Sequence, residues 1–207
     1  MTAWDAACFC RSNWRHLCVD MQRMFAEDTP WHVPWMERVK DEVVEVSGRH
    51  SERTIFTRFM PPETAEDACG AWREYYRKWP MMTRNALSPE LLDILPELRR
   101  FTPPARLFDK QGYSPWLDGR LHAALRRDGV TALAISGGET DVCVLATVLG
   151  AIDLGYRTVL LEDAICGSAD ETHDASLTVL GERFSVQLDL VPTADFLEAC
   201  ARSGPLR

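Results

Sequence analysis

Short apolar runs rich in β-branched residues alternate along this chain with longer segments whose apolar positions recur every three or four residues. The runs at 14–19, 54–58, 105–108, 132–136, 158–161 and 185–190 read as strands. Between and after them, 34–47, 115–127, 140–154, 171–184 and 193–202 read as helices. In the first of these helices Val39, Val43 and Val46 share a face, and Gly48 is expected to end it. Parallel strands need crossover helices of this length, and those helices cover both faces of the sheet. The expectation is therefore an α/β fold: a doubly wound, six-stranded parallel sheet of order 3-2-1-4-5-6 with helices on both faces.

Two stretches escape the alternation. Residues 59–104 open on Pro61-Pro62, carry a short helix with Trp72, Tyr75 and Tyr76, and start another helical turn at Ser88-Pro89. So long a stretch without a strand suits a lid or an interface between subunits, and its aromatic residues, Phe59 and Trp79 included, either line a pocket or pack on the core. Residues 1–13 form an arm that packs either on the body or on a partner subunit, and 14–207 form a single domain.

Composition narrows the partners. The 207 residues include 31 acidic and 23 basic side chains, for a net charge of −8, and no window gathers Lys and Arg into a nucleic-acid surface. No apolar run approaches membrane-span length, and the start of the chain lacks the pattern of a signal peptide, so no membrane association and a cytoplasmic location are expected. The seven cysteines, Cys8, Cys10, Cys18, Cys69, Cys143, Cys166 and Cys200, are scattered and read as free thiols. Cys8 and Cys10 have no second ligand pair at metal spacing nearby.

The chemistry concentrates after the fourth strand. Gly137-Gly138 turns the chain into a helix with Thr140 as its expected N-cap and Cys143 in its first turn. Unpaired N–H groups and the helix dipole there favour a thiolate, although a free cysteine also serves as a small buried hydrophobe. In a doubly wound sheet the carboxyl ends of the strands share one edge. Asp20 follows the first strand and Lys110 the third, so both are expected at the edge that holds Cys143. Singly, Asp20 is a turn cap and Lys110 a surface lysine. Together the three suffice for acyl transfer without a metal: a nucleophile, a base, and an ammonium that positions the base.

The segments CVDMQRMF (18–25), FDKQGYSPW (108–116) and GGETDVCVLATVLGAIDLGYRTVLLEDA (137–164) resemble the isochorismatase-like cysteine hydrolase superfamily, and the resemblance runs from about residue 17 to about residue 190. It implies a catalytic triad of Cys143, Asp20 and Lys110, and a cis peptide between Gly138 and Glu139 with the backbone amides of Glu139 and Cys143 forming an oxyanion hole. It further implies hydrolysis of a small amide, carbamoyl or ureido compound through a thioester, no cofactor, and a homo-oligomer, dimer or tetramer.

Departures from the family pattern are equally informative. Nicotinamidases in the superfamily hold a metal on an Asp-x-His motif and further histidines; here Asp28, His32 and His50 do not have that spacing, and no metal is expected. Phe59 follows Thr57-Arg58 where the family often has an acidic residue. Isochorismatases proper cleave a vinyl ether and generally lack the cysteine. Phe25, Trp31, Trp35, Tyr113 and Trp116 are candidate pocket walls, with core packing the competing reading for each. Glu139 is either a helix-start carboxylate or a substrate contact, and His173 a surface histidine or an organiser of its loop. Isochorismatase-type vinyl-ether hydrolysis, a non-catalytic small-molecule-binding protein, and a thiol redox sensor with Cys166 as resolving cysteine stand as alternatives.

Overall fold

The computed structural model describes residues 4–203, so the first residues of the arm (1–3) and the last of the domain (204–207) lie outside the described residues. Strands β1 (Trp14–Val19), β2 (Thr54–Phe59), β3 (Arg106–Lys110), β4 (Ala132–Gly138), β5 (Arg157–Cys166) and β6 (Leu188–Val191) form one sheet of order β3-β2-β1-β4-β5-β6. Every pairing is parallel. The order reverses between β1 and β4, which places the switch point where the reactive residues were expected.

Around the sheet run α1 (Ala6–Arg11), α2 (Arg23–Ala26), α3 (Met36–Arg49), α4 (Ala71–Lys78), α5 (Pro96–Arg99), α6 (Arg120–Arg127), α7 (Leu145–Asp153), α8 (Asp170–Arg183) and α9 (Thr193–Ser203). Successive strand residues face opposite sides, and the core divides accordingly. Cys18, Phe56, Ala134 and Val159 pack with Val39, Val43 and Val46 of α3 and Phe196 of α9. On the other side Leu17, Leu133, Ile135 and Leu160 pack with Leu121 and Leu125 of α6, Val148 of α7 and Leu180 of α8. Each such fully buried aliphatic side chain contributes roughly 1.5–3 kcal/mol. Among the described residues no helix is long and apolar enough to cross a membrane.

Several local expectations are corrected. Gly48 does not end α3 but lies inside it: a Cβ there would sit 3.0 Å from Phe101 Cζ, so the glycine admits a ring rather than a stop. The expected helix over 140–154 is divided into a π-helical turn, Thr140–Val144, and α7. Strand β5 does not stop at Leu161 but continues to Cys166, because its register against β4 shifts between Ile135 and Gly137 and readmits the chain to the sheet. Asp163, beyond that shift, accepts from Thr193 N–H at 2.8 Å and Thr193 Oγ1 at 2.6 Å and so caps α9. The last strand starts at Leu188 rather than 185, and α6 starts at Arg120 rather than 115.

The arm packs on the body of its own chain. Phe9 is fully buried against Trp14, at 5.9 Å between ring centroids, and Phe196, at 6.0 Å. Cys10 Sγ lies 2.8 Å from Cys200 Sγ, so its partner is the last helix and not Cys8. The segment 59–104 folds into α4 and single helical turns over a third cluster, in which Met24, Phe59, Tyr76 and Met82 are buried.

Candidate active site

Because β1, β3 and β4 run parallel, their carboxyl ends deliver three side chains to one place. Asp20, one residue past β1, has φ +48°, a left-handed conformation that Asp tolerates better than most residues. Lys110 is the last residue of β3, and Cys143 sits in the π-helical turn after β4. Lys110 Nζ lies 2.6 Å from Asp20 Oδ2 and donates to Gly112 O at 2.9 Å and to Cys143 Sγ at 3.6 Å. The lysine side chain is 3% exposed and the aspartate side chain 1%, so this is a buried ion pair whose stability depends on filling every remaining polar valence.

Thr57, within β2, fills one of them. Its Oγ1 donates to Asp20 Oδ1 at 2.6 Å and accepts from the Asp20 backbone N–H at 3.1 Å. Nothing in the residue pattern marked Thr57, which resembled any β-branched strand residue; the only available signal was its position one turn of pleat before the strand's end, level with the switch point. Burial works against the Lys110 ammonium, and its neighbours, the Asp20 carboxylate first and then the Cys143 sulfur, more than offset it, leaving its pKa raised. Burial, followed by the charge of Asp20, pushes the Cys143 thiol well up, against a smaller opposing effect of Lys110. The helix start was expected to favour the thiolate; burial and the neighbouring Asp20 act in the opposite direction.

Backbone completes the floor. The Gly138–Glu139 peptide is cis, and Glu139 O accepts from Val142 N–H at 3.1 Å and Val144 N–H at 2.9 Å. Thr140 is not the cap that was expected, since no side chain caps this turn; its Oγ1 instead lies 2.9 Å from His173 Nδ1. His173 is correspondingly no surface residue. It is 6% exposed and lies tilted against Trp35 at 5.0 Å between centroids, and its contact with Thr140 ties α8 to the turn that holds the cysteine.

Above Cys143 opens a cavity of about 240 Å³, walled by Phe25, Trp31, Phe59, Tyr75, Tyr113 and Glu139. Among the candidate wall residues Phe25, Trp31 and Tyr113 therefore line it. Trp35 stands behind the wall against His173. Trp116 is directed away: its Nε1 donates to Thr147 O at 2.9 Å, and its ring stacks on Tyr156 and lies over Gly150 of α7. Tyr75 reaches the cavity from α4, and burial raises its pKa to about 12, so it presents a neutral hydroxyl.

Metal and redox readings meet different geometry. His50 meets Trp14 edge to face at 5.0 Å between centroids, at the amino end of β1, so it does not converge with His32, which lines the cavity. Among the described residues no group of three or more His, Cys, Asp or Glu side chains is placed to hold a metal ion. Cys166 is fully buried in the core on one side of the sheet, whereas Cys143 belongs to the cluster on the other.

The isochorismatase domain family matches residues 16–190. A probable inactive nicotinamidase of Arabidopsis thaliana is 35% identical over 69 residues, 33% of this chain and 35% of that protein. Maleamate amidohydrolase of Pseudomonas putida is 23% identical over 145 residues, 68% of this chain and 62% of that protein. The chain thus spans about a third of the length of the first relative and less than two thirds of the second. A crystal structure of a cysteine hydrolase from Pseudomonas syringae superposes with a TM-score of 0.81 at 19% identity, covering 99% of this chain and 97% of that one, which is a likeness of fold. With a family match that takes in the whole sheet except the final residue of β6 and the first two of β1, the chain belongs to the isochorismatase family.

Proposed function

We propose that this protein is a cysteine-dependent amidohydrolase acting on a small primary amide, carbamoyl or ureido compound. The observation that carries the reading is the position of Lys110 Nζ, 2.6 Å from Asp20 Oδ2 and 3.6 Å from the Sγ of Cys143, which lines the cavity. A cavity of about 240 Å³ is small for a ligand site, which suits a substrate of a few heavy atoms or one ring.

In this mechanism Asp20 takes the Cys143 proton as Sγ attacks the carbonyl carbon. The backbone N–H groups of Glu139 and Cys143 hold the tetrahedral oxyanion; loss of one such donor typically costs ~3 kcal/mol of transition-state stabilisation. Asp20 hands the proton to the departing nitrogen, and a thioester remains on Cys143. Asp20 then removes a proton from water as that water attacks the thioester, and the acid leaves while the thiol is reprotonated. Lys110 holds the carboxylate in place through both halves, and Thr57 fixes the other carboxylate oxygen. No cofactor takes part. A cytoplasmic location and a homo-oligomer, dimer or tetramer, belong to the same proposal; the free thiols on the surface, Cys8 and Cys69, support the first.

The test is ammonia release from a panel of small amides and ureido compounds by the wild-type protein and by Cys143→Ala and Asp20→Asn. Release that disappears in both variants supports the proposal. Release that survives in Cys143→Ala, or its absence across the panel with a folded protein, sinks it.

A further inference from the structure

The charges around the cavity are asymmetric. Its lining carries a carboxyl group, Glu139, but neither a lysine nor an arginine, and the only titratable base among the lining residues is His32, which is exposed. Lys110, the nearest catalytic cation, is neutralised by Asp20 at 2.6 Å and also bonded to Gly112 O at 2.9 Å, so it has no free charge to offer a substrate. Asp141, two residues on, adds negative charge beside Glu139, whose pKa is raised first by burial and then by that neighbour. Ser168 lines the same cavity beside Glu139. Tyr75 and Tyr113 line the same cavity as Glu139 and Cys143, so the four groups face one volume.

We propose that Glu139 determines the charge of the substrate: the site takes amides whose acyl portion carries an N–H donor or a positive charge, and rejects those that carry a carboxylate. This rests on the amidohydrolase reading above. A carboxylate substrate needs a cationic partner to replace its hydration shell, and this cavity would instead place it beside a like charge in a partly desolvated aromatic box. An ammonium or ureido N–H meets the opposite situation, with a carboxylate acceptor and the faces of Phe25, Trp31 and Tyr75 around it. Maleamate, the substrate named for the Pseudomonas putida relative, bears a carboxylate and falls in the rejected class.

The experiment compares benzamide with its meta-aminomethyl and meta-carboxylate derivatives, at about pH 8 where both substituents are charged, in wild type and Glu139→Gln. Wild type is expected to turn over the carboxylate derivative with kcat/KM at least about tenfold below benzamide, and the aminomethyl derivative at or above benzamide. In Glu139→Gln the three values should converge to within about threefold. Discrimination that persists unchanged in Glu139→Gln, or a wild type that prefers the carboxylate, overturns the proposal. A second readout does not depend on turnover: the rates at which iodoacetamide and iodoacetate alkylate Cys143, mapped by mass spectrometry and each divided by its rate with glutathione. Wild type should favour the neutral reagent and Glu139→Gln should narrow the ratio. Absence of hydrolysis with a narrowed alkylation ratio would reject the amidohydrolase reading while keeping the charge selection. An equal ratio in the two proteins would reject the charge selection by itself.

Discussion

Thr57 Oγ1 donates to Asp20 Oδ1 across 2.6 Å while it accepts the Asp20 backbone N–H across 3.1 Å, so one hydroxyl fixes both ends of the residue proposed as the base. Replacing it with valine keeps the shape of a buried β-branched strand residue and removes both bonds. Thr57→Val should lose about 1–3 kcal/mol of stability, the penalty for stranding part of a buried ion pair. It should lower kcat more than it raises KM, while Thr57→Ser stays close to wild type. Equal damage in serine and valine variants would show that the methyl group, not the hydroxyl, matters.

The Asp20–Lys110 pair should respond as a unit. Removing one ion leaves the other buried and alone, which costs about 3–5 kcal/mol, whereas removing both leaves neither. Lys110→Met and Asp20→Asn are each expected to be more destabilising than the two combined. Chemical denaturation of the two single variants and the double variant closes this cycle; additive losses would mean that the ions are stabilised independently.

Stability should fall on mild acidification through a residue remote from the site. His16 is fully buried, with Nδ1 3.1 Å from Thr54 Oγ1 and Nε2 2.8 Å from Ser136 Oγ, and burial lowers its pKa to about 3 from an ordinary 6.5. Below pH 6.5 the unfolded chain takes up a proton that the folded chain refuses. Its contribution therefore declines as pH falls from 6.5 towards about 3, by about 1.4 kcal/mol per pH unit, and is constant above that window. Unfolding midpoints in denaturant across this range test it, with His16→Gln expected to show the shallower slope.

The cysteine thiol is expected to be sluggish until a base acts on it. With burial and Asp20 raising its pKa, alkylation of Cys143 by a neutral reagent should run below that of a free thiol at neutral pH and climb as pH rises. Lys110→Met removes the one group that pulls the pKa down, so it should slow alkylation further. A Cys143 that reacts faster than glutathione at neutral pH would contradict this account.

Much of this architecture could be read from residue order alone, and the reasons are specific. Strands such as β4, buried at every position, are written as continuous apolar runs, and a parallel sheet of such strands has few alternative orders. Asp20, Lys110 and Cys143 were visible because strand ends in this topology share an edge. Other features left no trace. His173 is placed by α8, whose apolar residues do not form a stripe, so its burial against Trp35 could not be inferred from periodicity. Thr57 is indistinguishable from a strand-forming residue until the sheet is assembled. Trp116 lay near Lys110 in sequence, but the turn at Ser114 and Pro115 carries it over α7 instead.

Gly137 makes one further point about sequence and shape. It has φ +107°, and a Cβ there would come within 2.1 Å of Val19 O. Gly137→Ala should therefore force β1 and β4 apart at their carboxyl ends, with loss of folded yield or of activity, as circular dichroism and ammonia release would report.

The residues assigned to bond breaking and most of the aromatic residues that wall the cavity come from different lengths of chain. Asp20, Lys110 and Cys143 stand at or just beyond the ends of paired strands, whereas Tyr75 belongs to α4 in the stretch that leaves the sheet after β2 and returns at β3, Phe25 to α2, and Trp31 to the loop between α2 and α3. Neither that stretch nor that loop contributes a strand to the six-stranded sheet. New substrates are thereby open to this scaffold through exchange of its canopy, at a cost to the catalytic apparatus no greater than a change of roof imposes on a foundation.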